Sequence, residues 1–198
     1  MPLKVTFPTQ LTVICGGNPK LSTMKKQALF VLVLVCAIFA CKKSNSGSGY
    51  HVTASIGGKG KAFNFTEPIG VIEKTGQAIT SLYITGILDT IKGESIQIQL
   101  SCYTDKGIVP GTYTDTAADY IMQAIYSADE DHTFYAGTMV ASYSESAGTP
   151  VKNHLKIVIT AIDDKSARGT FSGDLLPDGS PGTTPVAMTN GDFYANVE

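Results

Sequence analysis

The chain has 198 residues, with 15 basic and 17 acidic side chains and a pI near 5.9. That length holds one domain behind a leader, and a balance this close to neutral leaves no surplus of cations to hold a phosphate backbone. Nucleic acid is therefore excluded as an expected partner.

Residues 1–23 read as an upstream extension, because a better start follows them: Met24-Lys25-Lys26 and then the uncharged apolar run Ala28–Ala40. Translation beginning at Met24 is the expectation, and an unusually long leader is the alternative. A basic start, a short apolar stretch and a small residue before the cut make a secretory signal over residues 24–40. The run is too short to span a bilayer, which takes about 20 apolar residues. It is also apolar all round, unlike a core helix, which carries polar positions on one side. Its last four residues, Ile38-Phe39-Ala40-Cys41, resemble the lipobox of bacterial lipoproteins. The resemblance implies a diacylglycerol on the Cys41 thiol, cleavage just before it, and acylation of the new amino group. Membrane lipid, held through Cys41, is then the expected partner at this end.

The processed chain would run from Cys41 to Glu198, 158 residues with 11 basic against 17 acidic side chains, a net charge of −6. Cys15 and Cys36 leave with the leader and Cys41 carries lipid, so Cys102 stands alone and no internal disulfide is expected. Residues 41–49 (CKKSNSGSG) are polar and rich in glycine and serine, the composition of a flexible tether.

From Tyr50 to Glu198 the apolar period is two. Ser95–Ser101 places Ile96, Ile98 and Leu100 on one face, and Asn153–Ile162 places Leu155, Ile157 and Ile159 likewise. Less regular runs predict strands at His51–Ile56, Lys61–Phe65, Ala78–Leu88, Tyr120–Ser127, Thr133–Tyr143, Arg168–Leu175 and Pro185–Val197. Turn formers separate them: Gly57–Gly60, Lys92-Gly93, Pro110-Gly111, Asp163–Lys165 and Asp178–Gly182. Ala117–Ser127 also carries helical spacing, but its aromatic and β-branched content favours a strand. The predicted class is all-β, an antiparallel sandwich or barrel of about eight to ten short strands.

Chemistry-bearing residues are sparse. His51, His132 and His154 lie far apart, with no pair at metal-ligand spacing, and read as solvent-facing side chains. Asp129-Glu130-Asp131-His132 offers oxygens for calcium but lacks the spaced acidic pattern, so it reads as a hairpin tip. No metal and no cofactor is expected. There is no G-x-S-x-G elbow, and Ser172 lies within a strand. Cys102 reads as a small packing or surface residue. No catalytic residue emerges, and the chain is read as a non-enzyme. All nine tyrosines follow Cys41, and alternation would set Tyr135 and Tyr143 on one strand face with Met139 between them. Those two are the candidate ligand-binding residues, although filling the core or edge of a β-domain is the plainer role for tyrosine.

Arg168-Gly169-Thr170-Phe171-Ser172-Gly173 and Met188-Thr189-Asn190-Gly191-Asp192-Phe193 close the chain. Val52–Lys59 opens the domain and Gly111-Thr112-Tyr113 stands at its centre. Together they resemble small Bacteroidota-type lipoproteins that carry a β-rich domain of unassigned function. The resemblance implies an all-β lipoprotein and supplies no catalytic residue. In that group acidic residues after the lipidated cysteine go with export to the outer face. Lys42-Lys43-Ser44 here implies an outer-membrane lipoprotein facing the periplasm. The expected function is a non-catalytic binding module for a glycan, a peptide or an envelope protein. A barrel-type carrier of a small hydrophobic ligand is the alternative, and an unrecognised hydrolase the third.

Overall fold

The computed structural model describes residues 49–198. The expected upstream extension, the expected signal segment, Cys41 and all of the expected tether but Gly49 lie outside the described residues.

Hairpins set the local order. β1 (His51–Ile56) turns at Gly57 and Gly58, both at positive φ, into β2 (Lys59–Ala62). β3 (Ile69–Thr75) and β4 (Ala78–Asp89) turn at Gly76, and β4 and β5 (Glu94–Cys102) at Gly93. β6 (Gly111–Thr114) is short, and β7 (Tyr120–Ser127) pairs with both β5 and β8 (Thr133–Gly137). Among the described residues one helix, α1 (Thr138–Ser146), precedes β9 (Lys156–Ile162), β10 (Ser166–Pro177) and β11 (Val186–Val197).

These eleven strands join in one sheet, in the order β2-β1-β11-β3-β4-β5-β7-β8-β10-β9-β6, with β11 also paired to β10. Followed through those pairings, the sheet returns on itself from β11 round to β10. Two corners of two residue pairs each complete the ring: Asn196 and Val197 run parallel to Ile69 and Gly70, and Leu176 and Pro177 run antiparallel to Tyr135 and Phe134. The class is all-β, and the β11–β3 corner is the one parallel pairing between strands among the described residues.

Alternation puts one apolar cluster inside. Phe63, Leu82, Ile84, Ile96, Leu100, Met122, Ile157, Leu175 and Phe193 are all but fully buried in it. Each such side chain contributes about 1.5–3 kcal/mol by leaving water. Cys102, the free thiol among the described residues, is buried, so this core holds the fold without a cross-link.

The structure departs from the sequence reading in three places. The run Thr133–Tyr143 is a strand only as far as Gly137. That residue has φ 129, and a Cβ there would meet the Met122 carbonyl oxygen at 2.0 Å. Thr138 Oγ1 then accepts the Met122 N–H at 3.1 Å, and the chain coils into α1. Tyr135 therefore sits half-buried on β8, whereas Met139 and Tyr143 stand exposed on a helix, four residues apart. They share no strand face. β3 and β6 are additional strands, which takes the count from the expected eight to ten up to eleven. β3 buries only Gly70, so its side chains carry no two-residue pattern. β6 is four residues long.

Candidate functional site

The outer face of β1, β11, β10 and β9 carries the site. In β11, Gly191, Phe193, Ala195 and Val197 point inward, which turns Asp192, Tyr194 and Asn196 outward. Register then brings two rows together. His51 pairs with Tyr194 and Tyr194 with Arg168, while Thr53 pairs with Asp192 and Asp192 with Thr170. Cross-strand neighbours on one face lie about 4.5–5.5 Å apart, so each row is a line of touching side chains.

Beneath the rows the backbone is drawn close. Gly169 pairs with Phe193 and Phe171 with Gly191, and each ring lies against the bare backbone opposite it. The two rings stack at 6.4 Å. A bulge between Phe171 and Gly173 sets Asn190 at φ 50, a conformation asparagine tolerates better than most residues. These features leave an open groove of about 490 Å³, lined by His51, Thr160, Arg168, Thr170, Asp192 and Tyr194 above a floor of Gly169 and Phe193. Gly49, the first described residue, also lines the groove.

Two fixed arrangements give it its charge. The Arg168 guanidinium lies over the Tyr194 ring, with Cζ 3.7 Å from the centroid. Tyr50 meets the same ring at 4.5 Å. Hydrogen bonding with Arg168 holds the Tyr194 hydroxyl below its ordinary pKa. His51 donates from Nδ1 to the Gly49 carbonyl at 2.8 Å and from Nε2 to Asp192 Oδ1. A carbonyl and an ionised carboxylate only accept, so the ring makes both bonds at once when it is protonated. The Gly49 carbonyl first, and then Asp192, raise the His51 pKa against the opposing effect of partial burial.

No protein-family model, curated protein or solved structure matches the chain.

The other residues singled out in the sequence lie elsewhere. His132 hydrogen-bonds Asp129 at 2.7 Å in the β7–β8 hairpin, where Asp129 also caps the N–H groups of Asp131 and His132. The acidic cluster is thus the hairpin tip the sequence implied. His154 Nδ1 meets Asp115 at 2.8 Å. Tyr113 and Tyr126 are buried in the core. Neither Tyr135 nor Tyr143 lines the groove. Sequence reasoning passed over Arg168, Asp192, Tyr194, Thr160 and Thr170. Arg168 is the only arginine in the chain, and that was the available signal.

Proposed function

We propose that this chain is a membrane-anchored lipoprotein whose β-domain binds a ligand in the outer-face groove without transforming it. The observation that carries the reading is Arg168. It lies over the Tyr194 ring, lines a concavity, and makes no ion pair among the described residues. A cation held by a tyrosine rather than by a carboxylate keeps the donors that Tyr194 does not take for something else. The groove volume falls in the range of about 300–1,000 Å³ usual for small-molecule sites.

The histidine beside it favours binding over catalysis. Both ring nitrogens of His51 are engaged with acceptors, so neither is free to take a proton from a nucleophile. An interior-binding carrier needs an empty ring, and here Phe63, Met122, Leu175 and Phe193 occupy the core.

The lipobox-like Ile38–Cys41 supports lipid on Cys41, and Lys42-Lys43-Ser44 supports an outer-membrane location facing the periplasm. A glycan, a peptide or an envelope-protein segment remains the partner class. The test is an NMR screen of the full chain in detergent against glycan and peptide fragments, read at the Arg168, Thr170 and Tyr194 resonances. Fragments that shift these signals support the reading, and a screen in which none does so removes it. Anchoring is tested separately, by mass spectrometry and membrane fractionation of wild type and Cys41→Ala.

A further inference from the structure

We propose that the groove selects a carboxylate carried on a polyhydroxylated ring, that is, an acidic saccharide of the uronic type, with Arg168 as the residue that recognises the carboxylate. The inference rests on the groove being a binding site and names what it binds.

The groove's polar groups complement such a ligand one by one. The Arg168 guanidinium lies over Tyr194 and carries no carboxylate among the described residues, and its five N–H groups include the fork that grips a planar carboxylate with two parallel bonds. Lysine provides no such fork, and the chain has 14 lysines but places its single arginine here.

Asp192 lies on the row next to Arg168. It engages His51 through Oδ1, and its Oδ2 forms no hydrogen bond among the described residues. A carboxylate oxygen is an acceptor only, so the group it suits is a hydroxyl or another donor on the ligand. The Thr160 and Thr170 hydroxyls, also without a hydrogen bond among the described residues, both donate and accept. A cation with a fork, one acceptor and two hydroxyls therefore face the same space. Sugar hydroxyls next to a carboxylate satisfy all of them.

Other anions fit less well. A phosphate dianion would bring two negative charges beside the Asp192 carboxylate, and like charges at that range repel. A peptide C-terminus offers the carboxylate but lacks the ring of hydroxyls that Asp192 and the threonines would meet. Neutral sugars leave Arg168 without a partner.

Calorimetry and NMR on the full chain in detergent test this with five probes: digalacturonate, its methyl ester, the neutral digalactoside, a tripeptide with a free C-terminus, and inorganic phosphate. Digalacturonate is expected to bind and to shift the Arg168 Nε–H resonance. Esterification removes the charge and leaves the protein untouched, and it should weaken binding at least about tenfold, the worth of a charge-assisted hydrogen-bond pair. Arg168→Lys keeps the cation without the fork and should lose a similar factor for digalacturonate alone. Equal binding of the ester or the neutral sugar overturns the acidic-saccharide inference and leaves a binding groove in place. Tighter binding of the tripeptide or of phosphate overturns it in favour of that ligand. Silence of the groove resonances to all five also overturns it, and the wider fragment screen then decides separately whether the groove binds anything.

Discussion

Phe193 lays its ring over the bare backbone of Gly169, its cross-strand partner. A Cβ at Gly169 would stand 2.7 Å from Phe193 Cζ and 2.1 Å from the Val158 carbonyl oxygen. Two registers along, the pair is inverted: Phe171 covers Gly191, where a Cβ would meet the Phe171 carbonyl oxygen at 2.4 Å. The two segments that stood out at the end of the sequence are thus each other's partners. The first of these pairs, Gly169 with Phe193, forms the floor of the groove.

Gly169→Ala should therefore destabilise the domain by about 1–3 kcal/mol, the usual cost of overpacking, because a ring and a neighbouring strand must both move. Urea unfolding followed by tyrosine fluorescence measures it. The same replacement at Gly60, where a Cβ meets nothing within 4 Å, should cost far less. Equal midpoints for the two variants would remove the argument from close approach.

A pH dependence follows from His51. Its folded-state pKa lies above the ordinary imidazole value, chiefly through the Gly49 carbonyl and then Asp192. A raised pKa means that the folded state binds the proton more tightly than the unfolded chain does. The stabilisation is complete below the unfolded value, about 6.5, and is lost as pH rises through the folded value. His132 is shifted the same way by Asp129, so wild type alone does not isolate His51. His51→Gln should lower Tm relative to wild type at about pH 5.5, and the gap should narrow by about pH 8.5. A gap of constant size across that range would show that His51 acts by packing alone.

The strands that bury one face were legible in the sequence almost residue by residue. β1 and β7 begin and end where alternation places them, because each shows the core every second side chain. β3 was not legible, because it contributes a glycine to the core and little else. The helix was hidden by its own composition, since Thr138, Val140 and Tyr143 favour strands one by one. What ends β8 is the single φ of Gly137, and no periodicity reports a dihedral angle. The groove lay beyond reach for another reason. Alternation shows that His51, Arg168 and Asp192 face outward, but not that β1 and β10 flank β11. Only register makes them neighbours.

Two buried aspartates clamp the chain between α1 and β9. Asp174 accepts the Asn153 N–H at 3.0 Å and its side-chain amide at 3.0 and 3.1 Å. Asp115 accepts the Leu155 N–H at 2.9 Å as well as His154 Nδ1. Both aspartates are about 4 % exposed, so water does not replace a lost bond. Asp174→Ala and Asp115→Ala should each cost about 1–3 kcal/mol, the penalty of orphaning buried donors. Amide exchange should separate them, with Asn153 faster in the first variant and Leu155 in the second. Uniform acceleration across all strands in both variants would mean global loosening instead of a local clamp.

Glu94 tests the opposite case, a buried charge that already has its cation. Lys61 reaches across from β2 to bond Glu94 Oε1, and the Tyr126 hydroxyl donates to the same oxygen at 2.8 Å. The lysine nitrogen also stands 5.6 Å from the Tyr126 ring centroid. The Glu94 side chain is 12 % exposed, so taking it out of water costs several kcal/mol, which the pair offsets without a large surplus. Lys61→Ala should then destabilise by about 3–5 kcal/mol, because a carboxylate stays behind without its partner. Tyr126→Phe, which removes one donor and keeps the ring, should cost about 1–2 kcal/mol. The double replacement Lys61→Met with Glu94→Leu removes the charge with its partner and should recover most of the loss. Denaturant unfolding of the four proteins decides it. A double variant as weak as Lys61→Ala would mean that this corner needs the ion pair itself, beyond the avoidance of a lone buried charge.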